Sequence, residues 1–419
     1  MWYIMNNKPA WLVFLIWIFF LPDVQAQNST SSPLSIFGIG EIELRDFGRT
    51  TAMGSVGIGL RSENFLNRRN PAGITGIDTL RFILDVSAAM KFSEFHTSAN
   101  KGSTNNFNFK SLAIGVRLSK GWTSSVGLSP YSNVGYQLNQ QQQVQGTDDR
   151  IDAVYSGSGG INKFYWANAY ELFRGFSLGI TSSFLFGNIS HTAEEDIITI
   201  KDTYNISKTF FDFGMQYSYW FEKHTNIIVG GIYGYQSKLS VERTRLVTSY
   251  NSVERNRRLP DLKTFIPQSY GFGFSILRNK KAAEWIFAAD YQFQKWSVDP
   301  SRHKTLTYSD SRLYSAGLQL TPNKGRPDNY MQFMRYMVGA SYNQSYLKVN
   351  GYQMVDLSLS FGVGLPFYNQ MRQTLSYVNI AVNVGEAATG QRGGITERYI
   401  LITANMSLIE RWFAKYRWN

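Results

Sequence analysis

Strict alternation of apolar and polar residues is the sequence feature that most restricts how this chain can fold. Residues Val355 to Leu365 read Val-Asp-Leu-Ser-Leu-Ser-Phe-Gly-Val-Gly-Leu, and the same alternation recurs along most of the chain. Because successive side chains of a β-strand point to opposite faces, such a stretch has one apolar face and one polar or small-residue face. The pattern predicts many strands, each of which separates an apolar environment from a polar one.

The first thirty residues resemble a secretory signal. Lys8 supplies a positive charge, Trp11–Leu21 is an apolar run, and Val24-Gln25-Ala26 is a small-residue cleavage site. The run is shorter than the roughly 20 apolar residues that a spanning helix needs. We therefore expect residues 1–26 to be a signal peptide. In an exported chain, the apolar faces of the strands are expected to meet lipid, as they do in transmembrane barrels.

Composition agrees with a barrel in the outer membrane of a Gram-negative cell. Aromatic residues make up 15% of the chain, which suits the two interfacial girdles of such a barrel, while the mean hydropathy of −0.25 is too polar for a helical membrane protein. The absence of cysteine excludes disulfides and thiolate metal sites. The net charge of +12 favours contact with anionic lipid, and the scattered basic residues argue against nucleic-acid binding.

From Leu80 onward the chain contains about fourteen strand-like segments, joined by connections that alternate between long and short. Outer-membrane barrels have long extracellular loops, short periplasmic turns and an even number of strands. The predicted fold is therefore all-β: a transmembrane antiparallel β-barrel of about 14 strands over residues 80–419, with twelve to sixteen strands possible. The longest connection, Ser240–Pro267, is predicted to be a charged loop. Two further loops are predicted before Asn162 and around Glu194–Asp202.

The alternation also assigns side chains to the two faces of individual strands. In Phe176–Phe186 the even-numbered residues are predicted to face outward. In the last strand, Ile400 and every second residue after it should face outward, while Thr403, Asn405 and Ser407 face the lumen.

Residues 27–79 lack a sustained strand pattern and are rich in glycine and other small residues. A fourteen-strand barrel has a lumen wider than its own side chains can fill. We therefore predict that residues 27–79 form an N-terminal plug, or hatch, inside the barrel. A periplasmic tail is the alternative.

Several motifs give the chain a resemblance to the FadL family of outer-membrane channels for hydrophobic molecules. Arg49-Thr-Thr-Ala-Met-Gly54, followed by Asn70-Pro71-Ala72, looks like the hatch of that family. Pro267-Gln-Ser-Tyr-Gly-Phe-Gly273 and Asp290-Tyr-Gln-Phe-Gln-Lys-Trp-Ser297 look like two of its strands. The segments Gly157-Ser-Gly-Gly-Ile161 and Glu410-Arg-Trp-Phe413 resemble sequences from the Bacteroidota branch of this family.

The resemblance implies passive uptake of a small hydrophobic ligand, fatty-acid-like or aromatic, with no cofactor. Gly54, Asn70, Pro71 and Ala72 would then belong to a gating hatch. Ser129 and Pro130 would mark a kink in the third strand, beside which the ligand leaves laterally into the membrane.

Proline cannot donate to a strand ladder, so Pro130 fits a local break. The alternative is that the third strand ends at Leu128 and Pro130 begins a loop. If the chain does pass hydrophobic molecules, the lumen near the hatch should hold an apolar pocket with few polar groups.

The family resemblance also allows a function of a different class, a non-transport barrel subunit of an outer-membrane protein secretion or biogenesis complex. Besides lipid and lipopolysaccharide, the partners would then be other outer-membrane proteins. A filled lumen with an exposed apolar surface would favour this function. A general porin is disfavoured because of the plug.

Motifs for catalysis or metal binding are weak. Gly175-Phe-Ser-Leu-Gly179 matches a nucleophile motif, but it lies in an alternating strand instead of a strand-to-helix turn. The histidines, at His96, His191, His224 and His303, have no metal-ligand spacing. The arginines between Arg243 and Arg258 are interpreted as a solvated surface, with lipopolysaccharide phosphates as the alternative. We expect no enzyme activity, no catalytic residues and no metal.

Overall fold

The computed structural model describes residues 31–36, 38–43, 48–79, 81–98, 101–143, 150–249, 252–280, 283–297, 306–323, 329–368, 375–391 and 393–411. The predicted signal peptide lies outside these residues, as do His303 and the end of the motif that starts at Glu410.

β-Strands make up most of the described chain. Three 3₁₀ helices (Pro33–Ile36, Arg49–Met53 and Pro71–Gly76) and a short α1 (Tyr330–Phe333) are the helical elements of the described part. No helix in the described ranges is both long and apolar enough to cross a membrane. The strands are β1 (Glu41–Ile42), β2 (Arg81–His96), β3 (Lys101–Arg117), β4 (Trp122–Gln143), β5 (Arg150–Phe173), β6 (Phe176–Glu195), β7 (Ile198–Phe221), β8 (Thr225–Gly234), β9 (Ser237–Ser249), β10 (Ser252–Ile266), β11 (Gln268–Lys280), β12 (Ala283–Lys295), β13 (Leu306–Tyr308), β14 (Ser311–Thr321), β15 (Arg335–Val349), β16 (Tyr352–Tyr368), β17 (Leu375–Thr389) and β18 (Thr396–Arg411).

The strands form a closed antiparallel barrel, because β18 pairs with β2. β8 and β9 lie end to end along β7, and β11 and β10 face them as the returning strand. β13 and β14 likewise both pair with β15. Counted as single wall strands, these pairs leave fourteen strands from β2 to β18, which confirms the prediction. Closure gives the backbone groups their partners without water, as lipid requires.

The predicted assignment of faces is also confirmed. On β16, Leu357 and Phe361 are 56% and 52% exposed, whereas Ser358 and Ser360 are 2% and 1% exposed. On β18, Ile400 is exposed while Asn405 is buried. Apolar side chains outside and polar ones inside are the reverse of a soluble protein and match a lipid-facing barrel.

One side of the barrel is much taller than the other. β5 and β7 have 24 residues each and β12 has 13, whereas about 9–11 residues suffice to cross the membrane. The tall strands extend at the end with the long connections, which is the extracellular end of an outer-membrane barrel. Above the membrane they form an antiparallel sheet, the outer sheet, which consists of residues 131–143, 150–161, 187–206, 237–249 and 252–266.

The outer sheet corrects three loop predictions. The connection predicted as a charged loop at Ser240–Pro267 is the paired hairpin β9–β10. The loops predicted before Asn162 and around Glu194–Asp202 are the paired upper ends of β4–β5 and β6–β7. These strands stand above the lipid, where the outward face need not be apolar, so they lack the apolar-out alternation by which the membrane strands were found.

The outer sheet has an apolar core of its own. Buried side chains from β4 to β7 and from β9 pack together, among them Ile189, Ile206 and Leu239. Ile36 and Ile39, which precede β1, pack against this cluster. The outer sheet therefore lies against the N-terminal part of the described chain.

Candidate functional site

Residues 48–78, which we call the inner segment, lie within the range predicted as the plug and pack on inward faces of the wall. The 3₁₀ helix Arg49–Met53 contacts β14, β15, β16 and β17, whereas the 3₁₀ helix Pro71–Gly76 contacts β4 to β7. Ile58 and Ile74 are buried almost completely. The inner segment thus reaches wall strands on opposite sides of the barrel.

Glycines on the inward face of the wall make room for the inner segment. A Cβ atom at Gly179 or Gly214 would collide with Pro71. On the opposite side, a Cβ at Gly339 would collide with Met53. Here the wall and the inner segment approach backbone to backbone, which only glycine permits.

Asn70, predicted as a hatch residue, is completely buried and joins the inner segment to the wall. Its Oδ1 accepts a hydrogen bond of 3.0 Å from the N–H of Ala72, which caps the 3₁₀ helix that begins at Pro71. Its Nδ2 donates to the main-chain oxygens of Ile58, at 2.8 Å, and of Met215 in β7, at 3.1 Å. Asn70, Pro71 and Ala72 are therefore brought together against β6 and β7.

Gly54, the other predicted hatch residue, lies on the opposite side of the lumen. It follows the 3₁₀ helix Arg49–Met53 with φ of +70°, a left-handed conformation that favours glycine. A Cβ there would come within 2.9 Å of the main-chain oxygen of Ala316 and collide with that of Ala340. The structure therefore places Gly54 apart from Asn70, in a tight approach to β14 and β15.

Two wall residues that hold the inner segment were part of motifs in the sequence analysis but were not predicted to contact it. The Asp290 carboxylate accepts main-chain hydrogen bonds from Gly57, at 2.6 Å, and Ile58, at 2.9 Å. Ser177, the serine of the nucleophile-like motif, lies 2.9 Å from the Thr75 hydroxyl and accepts from Arg61 Nη2 at 2.8 Å. In the sequence, each of these residues could be recognised as a polar residue on the inward face of a predicted strand. That position did not show which residue of the inner segment it would contact.

The wall opens between β3 and β4 at the position of Ser129 and Pro130. The ladder between these strands ends at the pair Leu112–Leu128. Above it β3 continues along β2, while β4 continues along β5 with a register shift between Pro130 and Ser132. The strand therefore does not end at Leu128, and a gap separates β3 from β4 above that residue.

Strand β1 lies in this gap. Glu41 and Ile42 pair with Asn133 and Ser132 of β4, and the N–H of Glu43 donates to the Tyr131 oxygen at 3.0 Å. Ser132 and Asn133 pair with β5 on the opposite side of β4, so β1 lies on the side that β3 occupies lower in the wall.

Ion pairs fasten β1 to the neighbouring wall. The ammonium group of Lys91 on β2 lies 3.2 Å from the Glu41 carboxylate and 2.7 Å from that of Glu397. Lys110 on β3 pairs with Glu43. Because the Glu397 carboxylate is almost completely buried, removal of Lys91 would leave its charge without compensation, which is strongly unfavourable.

Two cavities lie next to these elements. One of about 150 Å³ is bordered by Glu41, Lys91 and Glu397. The other, of about 200 Å³, reaches from Pro71 to Pro130 and is also lined by charged residues of the inner segment and wall (Arg68, Arg69, Lys163 and Asp212). Both have charged side chains in their lining, whereas a route for hydrophobic molecules is expected to have few polar groups. Within the described residues, no group of three or more acidic or histidine side chains is arranged to hold a metal ion.

A closed fourteen-strand barrel with an apolar outer face defines an outer-membrane β-barrel protein, and solved structures of this class have a similar fold. The P. putida toluene transporter TodX has a TM-score of 0.56 and 15% identity, over 89% of this chain and 100% of TodX. The Ralstonia pickettii toluene transporter TbuX has a TM-score of 0.55 and 12% identity, over 88% of this chain and 99% of TbuX. A Pseudomonas aeruginosa FadL homologue has a TM-score of 0.51 and 12% identity, over 87% of this chain and 97% of its own. Likeness at these identities concerns the fold.

The chain belongs to the BamG family, whose model matches residues 8–419. No curated protein matches its sequence. The fold agrees with the resemblance to FadL-type barrels, whereas the assignment to the Bacteroidota branch stays a prediction.

Proposed function

We propose that this chain is a non-transport barrel subunit of an outer-membrane protein complex that serves protein secretion or biogenesis. The observation that supports this function best is the interior of the barrel. Residues 48–78 are bonded to opposite walls, and the two cavities that they border, of about 200 Å³ toward the gap and about 810 Å³ at the end with the short turns, are lined by charged groups. Pockets for small apolar ligands are instead lined mostly by apolar side chains.

The outer sheet supports the same function from the outside. Its hairpins are paired strands with a buried apolar core instead of irregular loops. Such a sheet provides a preformed surface, and a partner that binds it does not have to order a loop first. Other outer-membrane proteins are therefore the expected partners, in addition to lipid and lipopolysaccharide.

The gap between β3 and β4 favours a second function, passive uptake of small hydrophobic molecules with lateral release. The cavity of about 200 Å³ extends from the predicted hatch residue Pro71 to Pro130 at this gap. Two of the structures with a similar fold are described as toluene transporters. In this function, movement of Asn70, Pro71 and Ala72 would connect the lumen to the gap.

Purification from native membranes in a mild detergent, followed by mass spectrometry of bound proteins and small molecules, distinguishes the two functions. We expect one or more protein partners in stoichiometric amounts and no enriched apolar ligand. A bound fatty acid or aromatic compound without a stoichiometric protein partner would instead establish the uptake function.

A further inference from the structure

The outer sheet ends in two strands, β4 and β10, and along most of their outer edges no further strand pairs with them in the described part of the chain. In the described residues, β10 forms a ladder with β9 alone. β4 pairs with β5 on one side. On its other side above Leu128, the described residues that pair with it are those of β1, opposite Ser132 and Asn133. The N–H and C=O groups on an open edge form a template for another strand.

The edge of β10 has the features that prevent pairing with another chain. Pro260 removes a donor from the strand, and the register shifts between Leu259 and Leu262. Arg255, Arg257 and Arg258 are exposed along it. Proline, an irregular register and charge are the devices by which natural sheets protect an edge.

The edge of β4 has none of these features in the upper part of the gap. From Gln137 to Gln143 it carries asparagine, leucine and glutamine, without proline or charge, and its register with β5 is regular. An uncharged segment with a regular ladder on one side is suited to accept a strand on the other.

The lower part of this edge shows which backbone groups face outward. The N–H of Gly135 donates to the Ser35 hydroxyl at 3.0 Å, and the hydroxyl donates to the Gly135 oxygen at 3.1 Å. Because backbone groups alternate between the two sides of a strand, Gln137 and Asn139 direct their N–H and C=O groups to the same open side.

A cavity lies beside the open part of the edge. It has a volume of about 810 Å³ and is bordered by Tyr136–Leu138 of β4, by Lys101–Thr104 of β3, and by Ser31 and Pro33. At about 3.4 Å per residue, an extended segment of six residues is roughly 20 Å long and matches the stretch from Tyr136 to Gln141.

We propose that an extended, uncharged segment of a partner polypeptide adds to β4 as a further strand along residues 136–141, in the gap between β3 and β4. β1 and Ser35 already cover the lower part of the same edge, so the partner strand continues an interface that the chain itself begins. The absence of charge on this edge matches an uncharged segment. This inference rests on the proposed protein-binding function and assigns it a surface and a kind of contact.

Photocrosslinking in native membranes tests the inference. Asn139 is replaced by p-benzoylphenylalanine, in otherwise wild-type protein and in Gln137→Pro and Gln137→Ala backgrounds. Both substitutions remove the Gln137 side chain, but only proline removes the outward N–H, so the alanine variant is the matched control. We expect an adduct with a partner protein in the wild-type and alanine backgrounds and at least a tenfold loss with proline. The same probe at Arg257 on β10 should give no partner adduct.

The inference is overturned if the proline and alanine variants give equal adducts, or if the probe at position 139 reacts with lipid alone or with no partner. Folding of each variant is checked by the heat-dependent gel migration of the barrel. If a stoichiometric partner copurifies and crosslinks elsewhere, the docking edge is wrong and the proposed function stands. If no partner copurifies from native membranes, the proposed function itself fails.

Discussion

Asn70 donates a hydrogen bond of 3.1 Å from its side-chain amide to the main-chain oxygen of Met215, so the inner segment bonds directly to a wall strand. The same amide group donates to Ile58 and its oxygen accepts from Ala72. One buried side chain therefore joins two distant parts of the inner segment to β7.

Replacing Asn70 by alanine should loosen the inner segment without unfolding the barrel. The substitution leaves the buried Ala72 N–H without this partner, at about 1–3 kcal/mol for an unsatisfied group. It also removes one of the two hydrogen bonds to the Ile58 oxygen, which keeps the bond from Gln216 Nε2. We expect increased ion conductance in planar bilayers, with unchanged heat-dependent gel migration. Asn64→Ala, in a half-buried position of the same segment, is the control. Conductance at the wild-type level would mean that Asn70 is not needed to keep the lumen closed.

Gly214→Ala should displace the inner segment by adding bulk to the wall, on the other side of the contact that Asn70 makes. The added methyl group would collide with Asn70 Oδ1 and come within 2.7 Å of Pro71 Cδ. Overpacking of this kind destabilises by roughly 1–3 kcal/mol.

Faster hydrogen exchange of residues 48–78 is the expected readout for Gly214→Ala. In Gly231→Ala, on the neighbouring strand, the closest contact is the flexible end of Met215 at 3.1 Å, so exchange should stay near wild type. Equal exchange in both variants would show that the approach at Gly214 does not hold the segment.

A disulfide between Ile42→Cys and Ser132→Cys should form readily and lock β1 to β4. These residues are direct partners in an antiparallel ladder, and the chain has no other cysteine. Because the proposed partner strand binds above Gly135, association with a partner should be the same under oxidising and reducing conditions. Uptake of labelled toluene that is blocked by the disulfide and restored by a reductant would contradict this and favour passage through the gap.

Acid should loosen the outer sheet at β9 through Asp202. Hydrogen bonds from Arg245, at 2.6 and 2.7 Å, and from Arg243, at 3.1 Å, hold the pKa of the Asp202 carboxyl below its usual value. A lowered pKa in the folded state contributes stability above the usual pKa, and this contribution is lost as the pH falls through the lowered value.

Hydrogen exchange of residues 237–249 between pH 6 and pH 3 measures this effect. Below roughly pH 4, the usual range of an aspartate, protection should fall in the wild type. Asp202→Asn should exchange faster at pH 6 and show a smaller change with pH. A wild-type response equal to that of Asp202→Asn would exclude this carboxylate as the cause.

The membrane strands could be predicted because lipid enforces a visible pattern on them. Val355–Leu365 alternates without exception, and β16 places its leucines outside and its serines inside. Residues 243–258 lack such a pattern, because this part of β9 and β10 lies above the lipid and neither face has to be apolar to contact it. The hairpin is specified by ladder pairing and by the apolar core around Leu239, which connects residues far apart in sequence.

The candidate site was predictable as a set of motifs but not as a set of contacts. The triplet Asn70-Pro71-Ala72 was recognisable, whereas its bond to Met215 connects residues 145 positions apart. Pro130 marked an irregularity in β4, but the sequence did not indicate that β1 pairs beside it. Pairing of a two-residue strand leaves no periodic signal in the sequence.

The unequal height of the wall has a consequence for the geometry of assembly. Strands of 24 residues at a tilt of about 45° extend on the order of 30 Å beyond the hydrocarbon layer, and they do so on one side of the barrel. A barrel with a level rim could meet a neighbour at any rotation about the membrane normal. In this barrel the taller strands face one direction in the membrane plane. A partner that binds them is therefore held at one fixed orientation about the membrane normal.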